Sequence, residues 1–292
     1  AIIGLGEIKG EVHYNILEQS KSKIFLDAKA LDFNDFLVRK GENDVRHLIH
    51  LLYDKLAVRE SGISLLQNFL WLRNIFNEIN FELNLKETIF NDRLLDVVKI
   101  DGLVKHRIFN IKDFYIKSEY NDMNTSFLIS LDDSKPLLNI NIDANKADLA
   151  LFNYSDGHQN KNSSWSKELI LFPNFENMDF NLTSKFKHLK YHELAVKDTI
   201  FNLSVENNIL KLEEVSGKID EGSFKIDGNF IMDGLPQLLL TYNFERFNIG
   251  NFLAFFFNID NINALSNVAG NLQTYGNTPH IMIKQIKSKN KY

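Results

Sequence analysis

The feature that most constrains the fold of this chain is a repeat of about one hundred residues. Residues 136–152, PLLNINIDANKADLALF, align without a gap with residues 236–252, PQLLLTYNFERFNIGNF, at an offset of 100. A shorter similarity relates GSFKIDGNF at 222–230 to GLGEIKGEV at 4–12. Self-similarity at a fixed spacing indicates an elongated array in which each unit buries its apolar surface against its neighbours.

Within the repeat, apolar residues recur at every second position. In 222–232 the residues between the apolar ones are Lys225, Asp227 and Asn229, and Gly228 interrupts the apolar side, where a bulge or a close backbone approach is expected. The same alternation opens the segments at 79–85 and 178–184. A period of two is typical of half-buried strands, so the sequence predicts a mainly β protein built as a repeated antiparallel meander.

One segment departs from this pattern. Between 43 and 79 the apolar residues follow a period of 3.6, which predicts two short amphipathic helices separated by ESGIS. These helices are expected to pack over an end or edge of the sheet, and docking to a membrane or to a partner is the alternative.

Composition excludes several classes of function. The formal net charge of −5 leaves no basic excess for a phosphate backbone, so nucleic acid is not an expected partner. The absence of cysteine excludes disulfides and cysteine-ligated zinc. The longest apolar run, LAFFF at 253–257, is far shorter than the roughly 20 residues of a membrane span, so any anchor is expected outside these residues.

The sequence shows no constellation of catalytic or cofactor-binding residues. Gly4, Gly6 and Gly10 have the wrong spacing for a dinucleotide loop, and an alternating segment follows them. His188 and His192 lack the acidic residue of a zinc-binding helix, and Glu213 with Glu214 is expected to mark a turn or bulge. We therefore expect a protein that is not an enzyme and has no cofactor and no metal site.

Residues 165–253 contain a series of motifs in a fixed order. Their positions are Trp165, Ser166, Asp179, Asn208, Leu210, Leu212, Gly222, Gly228, Pro236 and the segment 249–253. This motif order resembles the C-terminal region of the AsmA family. The resemblance covers this stretch well and residues 79–152 loosely, whereas AGNLQTYGNTPHIM near the C-terminal end is compressed relative to the family pattern.

This resemblance implies a periplasmic protein of outer-membrane biogenesis, anchored to the inner membrane through a segment not present in this sequence. The family is related to the TamB and YhdP groups, and its repeats resemble those of bridge-like lipid-transfer proteins, in which a long curved sheet forms a trough with an apolar inner face. The implied partners are phospholipid or another acyl lipid, the inner and outer membranes, and outer-membrane assembly proteins.

Repeat, pattern and resemblance together divide the chain into six segments. They are the end of a truncated β unit (1–42), a helical insertion (43–79), a β unit (80–152), a linker (153–177), the β unit that best matches the family (178–253), and a tail that starts a further or degenerate unit (254–292).

The clearest alternating runs of the second unit supply the predicted lipid-facing residues. They are Phe224, Ile226, Phe230, Leu238, Leu240, Tyr242 and Phe244. The apolar face of such a sheet must be covered. In the trough hypothesis lipid covers it, whereas in an ordinary sandwich a second sheet covers it and the same residues form the core.

Two hypotheses compete with lipid transport. One is a β-rich structural module that binds proteins through its sheet edges, and the other is a carbohydrate-active repeat enzyme.

Overall fold

The strands of the described residues form one sheet whose spatial order follows the order of the chain. The structure, a computed structural model, describes residues 2–3, 6–13, 22–31, 78–90, 93–131, 135–149, 179–191, 194–248 and 264–291. The fifteen strands found there are β1 (Ile2–Ile3), β2 (Gly6–His13), β3 (Ser22–Lys29), β4 (Ile79–Phe90), β5 (Arg93–Lys105), β6 (Ile108–Lys117), β7 (Asp122–Ser130), β8 (Leu137–Asp148), β9 (Asp179–Tyr191), β10 (Leu194–Glu206), β11 (Ile209–Ile219), β12 (Gly222–Ile231), β13 (Gln237–Asn248), β14 (Leu265–Tyr275) and β15 (Lys287–Lys291). The predicted mainly β class is therefore confirmed.

Two parallel junctions divide this otherwise antiparallel meander. Strand β3 pairs with β4, and β8 with β9, in parallel, whereas every other neighbouring pair is antiparallel. The run between the two junctions, β4–β8, holds five strands, and the five strands β9–β13 continue in antiparallel pairing into β14 and β15. After β3 and after β8 the chain must cross back to the other end of the sheet, because the next strand is parallel to the one before it.

The two five-stranded runs are the repeat seen in the sequence. Strands β4 and β9 begin at 79 and 179, and β8 and β13 span 137–148 and 237–248, so the offset of 100 is retained at both ends. The predicted equivalence of 136–152 and 236–252 is thus confirmed for their strands. The last three residues of the first stretch and the last four of the second lie outside the described residues.

Irregularities in strand pairing recur at equivalent places in both runs. The β6–β7 register shifts between Ile111 and Phe114, and the β11–β12 register shifts between Leu212 and Val215, 101 residues later. The two residues inside the second shift are Glu213 and Glu214, so the expected bulge at this pair is confirmed. Bulges bend a strand and increase its twist, and their repetition gives both units the same local bend.

The helical prediction is corrected at one residue. Ile79, placed at the end of the helical segment, instead begins β4 and pairs with Val104 and Ser22, because it opens the alternating run INFELNL. Residues 43–77 of the predicted helix pair lie outside the described residues. The helix found in the described part of the chain is α1 (Pro279–Lys284), whose first turn is capped by the side chain of Thr278.

Candidate functional site

All seven residues predicted to face lipid lie on one face of the sheet. In the β12–β13 register, Phe224 stands opposite Phe244, and Ile226 stands opposite Tyr242. Phe230 stands opposite Leu238, and Leu240 faces Gly228. Since directly opposed residues project from the same side of a sheet, the predicted parity is confirmed. Their contact with lipid remains a prediction.

This face continues without interruption into both units. Following the pairings from β3 to β14 gives two adjacent rows of uncharged residues, which we call the central rows. One consists of Leu26, Leu83, Ile100, Phe114, Thr125, Ile142, Ser184, Phe201, Val215, Ile226, Tyr242 and Gly270; the other of Ile24, Phe81, Gly102, Ile111, Phe127, Ile140, Leu182, Leu203, Leu212, Gly228, Leu240 and Leu272.

Two further rows, which we call the outer rows, flank the central ones. Together the four rows define the apolar face. One outer row contains Ala28, Leu85, Val98, Ile116, Met123, Ala144, Phe186 and Thr199, and the other contains Ile79, Val104, Phe109, Ile129, Leu138, Phe180, Val205, Leu210, Phe230, Leu238 and Thr274.

Burial differs between the outer and the central rows. Every residue of the first outer row is buried, as Ala144 at 2% exposure illustrates, and in the second outer row Ile129 is also only 2% exposed. In the central rows only Gly102 and Ser184 are buried. The apolar face is therefore buried along the first outer row, buried at about half of the positions of the second, and partly open to solvent along its middle.

Glycines at two places on this face allow close packing. A Cβ on Gly102 would come within 2.2 Å of the ring of Phe81, so the far edge of this ring occupies the space that a side chain on the neighbouring strand would need. Gly228 has a φ of +155°, and a Cβ there would come within 2.1 Å of the carbonyl oxygen of Leu239. The close backbone approach expected at Gly228 is confirmed.

Aromatic rings concentrate where the face crosses β12 and β13. The rings of Phe224 and Phe244 lie 6.4 Å apart between centroids, and Phe244 lies 5.8 Å from Tyr242 and 5.0 Å from Phe247. In the first unit Phe109 contacts Phe81 at 6.0 Å and Phe127 at 5.9 Å. These contacts give both units a cluster of packed aromatic rings on the apolar face.

The opposite face of the same strands is polar. One of its rows reads Asn80, Leu103, Asn110, Leu128, Asn139, Asn181, Ser204, Lys211, Asn229, Leu239 and Gln273. Across the parallel junction, Nδ2 of Asn181 donates a 2.9 Å hydrogen bond to Oδ1 of Asn139. The sheet is thus amphipathic throughout, with water expected on this side.

A buried polar network fixes one rim of the first unit. Nη1 of Arg93 donates to Oδ2 of Asp148 at 3.0 Å, and the backbone N–H of Asp148 donates to Oδ1 of Asn121 at 2.9 Å. Asn121 is 1% exposed, and its own backbone N–H donates to Oγ of Ser118. The network ties the starts of β5 and β7 to the end of β8.

Potential catalytic groups are not assembled into a site in the described part of the chain. His188 lies exposed on β9, opposite Lys146 and Lys197, while His192 lies outside the described residues. Within the described ranges no three His, Asp or Glu side chains come close enough together to hold a metal ion. No helix there has the length and apolar character needed to cross a membrane.

Comparison with known proteins bears on the second unit and the strands that follow it. Residues 153–287 match the model of the AsmA family. The resemblance noted in the sequence is confirmed for this match, which includes β9 to β14 and α1. Neither the curated proteins nor the solved structures give a match to the chain.

The first unit carries the same face as the second unit, although the sequence pattern did not predict its residues one by one. The residues equivalent to the predicted set are found on β7 and β8, where Phe127 stands opposite Ile140 and Ile129 opposite Leu138. The alternation in 137–144 could have identified half of them. The bulge between Ile111 and Phe114 changes the parity, so the pattern cannot be followed across β6 from sequence alone.

Proposed function

We propose that this chain is part of a lipid-conducting protein of outer-membrane biogenesis, in which the central rows of the apolar face carry the acyl chains of phospholipids. The proposed location is the periplasm, with attachment to the inner membrane through a segment outside these residues. The match of residues 153–287 to the AsmA family model supports this setting. No chemical step is proposed, because the function required is solvation of acyl chains rather than catalysis.

The observation that carries the proposal is the difference in burial between the rows. A sandwich would bury the middle of its apolar face most completely, because a second layer packs there. Here every residue of the first outer row, from β3 to β10, and six of the eleven in the second outer row are buried, whereas the central rows are partly exposed along nearly all of twelve strands. A strip of this kind, continuous across a parallel junction, provides a track with apolar walls and an accessible floor.

The dimensions of the sheet suit a conduit. Fifteen strands in one sheet at about 4.8 Å spacing extend roughly 65 Å along the hydrogen-bonding direction, about twice the thickness of a bilayer's hydrocarbon core. The repeated bulges in β6 and β11 curve the strands, and we propose that this curvature turns the apolar face into the inside of a groove.

The energetics set what the groove must do. Moving a sixteen-carbon acyl chain into water costs on the order of 13 kcal/mol at about 0.8 kcal/mol per methylene. The groove must therefore keep most of the chain away from water, and it must bind lipid no more tightly than the bilayer does. Uncharged rows of similar character from unit to unit meet both conditions, because they offer a series of nearly equivalent positions.

The proposal is tested by asking whether phospholipid accompanies the protein and moves with it. Native mass spectrometry of the chain after gentle purification should detect bound phospholipid. Transfer of a fluorescent phospholipid between donor and acceptor vesicles should accelerate in proportion to protein concentration. A folded protein that carries no lipid and moves none would contradict the proposal and favour a β-rich structural module that binds proteins.

A further inference from the structure

A row of mostly basic residues crosses neighbouring strands on the polar face of the sheet. Following the pairings from β3 to β11, we define this basic row as Lys29, Lys86, Val97, Lys117, Asp122, Lys146, His188, Lys197 and Lys218. It continues across the parallel junction between β8 and β9. In a chain whose formal net charge is −5, the row is a local concentration of positive charge.

Burial shows on which side of the sheet the basic row lies. On β4 the exposed residues 86–87 lie between Leu85 and Thr88, which are both buried. The same pattern of two exposed residues between two buried ones recurs at 145–146 on β8, 187–188 on β9 and 197–198 on β10. These interruptions of the alternation place both exposed residues on the polar face and leave the buried ones on the apolar face.

Most of this positive charge is not paired within the described part of the chain. Lys29 forms an ion pair with Glu87 at 3.2 Å, and Lys218 forms one with Asp198 at 2.8 Å. The ammonium groups that form no ion pair with a described residue are those of Lys86, Lys117, Lys146 and Lys197. Like charges opposed on neighbouring strands, such as Lys29 and Lys86, destabilise a sheet, and an anionic partner would relieve this repulsion.

An acidic row runs beside the basic one on the same face. Four positions along β4, β5 and β6 from the basic row, the register brings together Glu82, Asp101 and Asp113. At about 3.3 Å per residue the two rows lie roughly 13 Å apart. A bilayer laid on this face would contact both rows and be repelled by the acidic one. A narrow anionic chain along the basic row stays more than a Debye length, about 8 Å, from the acidic row.

We propose that the basic row binds an extended acidic segment of a partner protein, which lies across the strands with its carboxylates next to the lysine ammonium groups. Nine strands at about 4.8 Å spacing extend roughly 38 Å, the length of about twelve extended residues. The lysines recur at every strand or every second strand, roughly 5–10 Å apart, which suits carboxylates about 7 Å apart on alternate residues of an extended chain.

Other features of the basic row define the kind of partner. The row has no aromatic side chain on which the bases of a nucleic acid could stack. Lysine ammonium groups make charge-assisted contacts with carboxylates without the fixed geometry that an arginine fork requires, so the segment needs acidic character rather than one exact sequence. The inference goes beyond lipid transport and does not depend on it, because the central rows lie on the other face of the sheet.

The test compares two fourfold variants of the 292-residue chain. The row variant carries Lys86→Gln, Lys117→Gln, Lys146→Gln and Lys197→Gln. The control variant loses the same charge from exposed lysines near the other ends of the strands, through Lys23→Gln, Lys105→Gln, Lys284→Gln and Lys287→Gln. Binding of a fluorescein-labelled dodecapeptide of alternating glutamate and serine is followed by fluorescence anisotropy. Binding to phosphatidylglycerol vesicles, thermal unfolding and phospholipid transfer are measured on the same proteins.

The row variant should lose at least about tenfold in affinity for the peptide, while the control variant binds it as the wild type does. The melting temperature of the row variant should not fall, because repulsion between opposed lysines is relieved, and its phospholipid transfer should be unchanged.

Three results would overturn the inference. An equal loss of affinity in both variants would show that binding depends on net charge alone. A wild type that does not bind the peptide would show that the basic row does not take an acidic segment. Binding of phosphatidylglycerol vesicles through the row in place of the peptide would assign the row to a membrane surface. Loss of lipid transfer with peptide binding retained would instead refute the proposed function and leave this inference standing.

Discussion

A charge placed on the floor of the proposed groove should block lipid without unfolding the protein. Leu240 lies in a central row between Gly228 and Leu272 and is only partly buried. Leu240→Asp should cost about 1 kcal/mol in lost burial, less than the roughly 1.5–3 kcal/mol of a fully buried leucine. The new carboxylate can remain hydrated, so the penalty of several kcal/mol for burying a charge is avoided.

Two controls bracket this variant. Leu239→Asp changes the adjacent residue in the same strand, but Leu239 lies on the polar face between Asn229 and Gln273, so fold and lipid should both be retained. Ile129→Asp changes an outer-row residue that is 2% exposed, where the buried carboxylate should cost several kcal/mol, a large share of the roughly 5–15 kcal/mol that stabilises a typical domain.

Thermal unfolding and lipid content are measured on the same preparations. The expected result is a folded Leu240→Asp protein that has lost lipid, a folded Leu239→Asp protein that keeps it, and an unfolded Ile129→Asp protein. If Leu240→Asp unfolds as readily as Ile129→Asp and the wild type carries no lipid, the central rows are the core of a closed sandwich and the reasoning is wrong.

Three further predictions concern stability and ionisation. Gly228→Ala should lower the free energy of unfolding by about 1–3 kcal/mol in urea titrations. Gly228 has a φ of +155°, and a carbonyl oxygen lies only 2.1 Å from the position a Cβ would take, so there is no room for a side chain. An unchanged midpoint of the urea transition would contradict this. Arg93→Ala should lower the free energy of unfolding by about 1–2 kcal/mol, because the buried Asp148 loses its ion pair with Arg93. The partial exposure of Arg93 limits the loss, and a variant as stable as the wild type would refute the prediction. The pKa of Asp198, measured by NMR, should lie below 3.8 and rise in Lys218→Gln, because Lys218 stabilises the ionised carboxyl. The stabilisation by this ion pair is present at neutral pH and is lost as the pH falls through the lowered pKa. A pKa that does not respond to Lys218→Gln would show that the contact is not formed.

The sequence was sufficient to predict the features that depend on local periodicity. Alternation identifies a strand and the side of it that is apolar, so the shared face of Phe224 and Tyr242 could be predicted without a structure. The repeat offset of 100 places β8 and β13 in equivalent positions, because insertions accumulate in connections rather than within paired strands.

Features that depend on pairing between distant strands could not be predicted. Alternation fixes which residues share a face but does not show whether neighbouring strands are parallel, so the junction between β8 and β9 became evident only in the structure. For the same reason the sequence could not predict that Lys146, His188 and Lys197 stand side by side, since they become neighbours only after the strands pair. The burial difference between rows likewise reflects the packing of the whole sheet.

Site-specific photocrosslinking tests the central claim most directly. A photoreactive benzophenone amino acid is placed at Phe127 in the first unit or Leu240 in the second, both in a central row, and at the adjacent Leu128 or Leu239 on the polar face. After irradiation of protein produced in bacterial membranes, mass spectrometry should find phospholipid adducts at Phe127 and Leu240 and none at Leu128 and Leu239. Adducts that are absent from the central row, or equally abundant on both faces, would contradict the account.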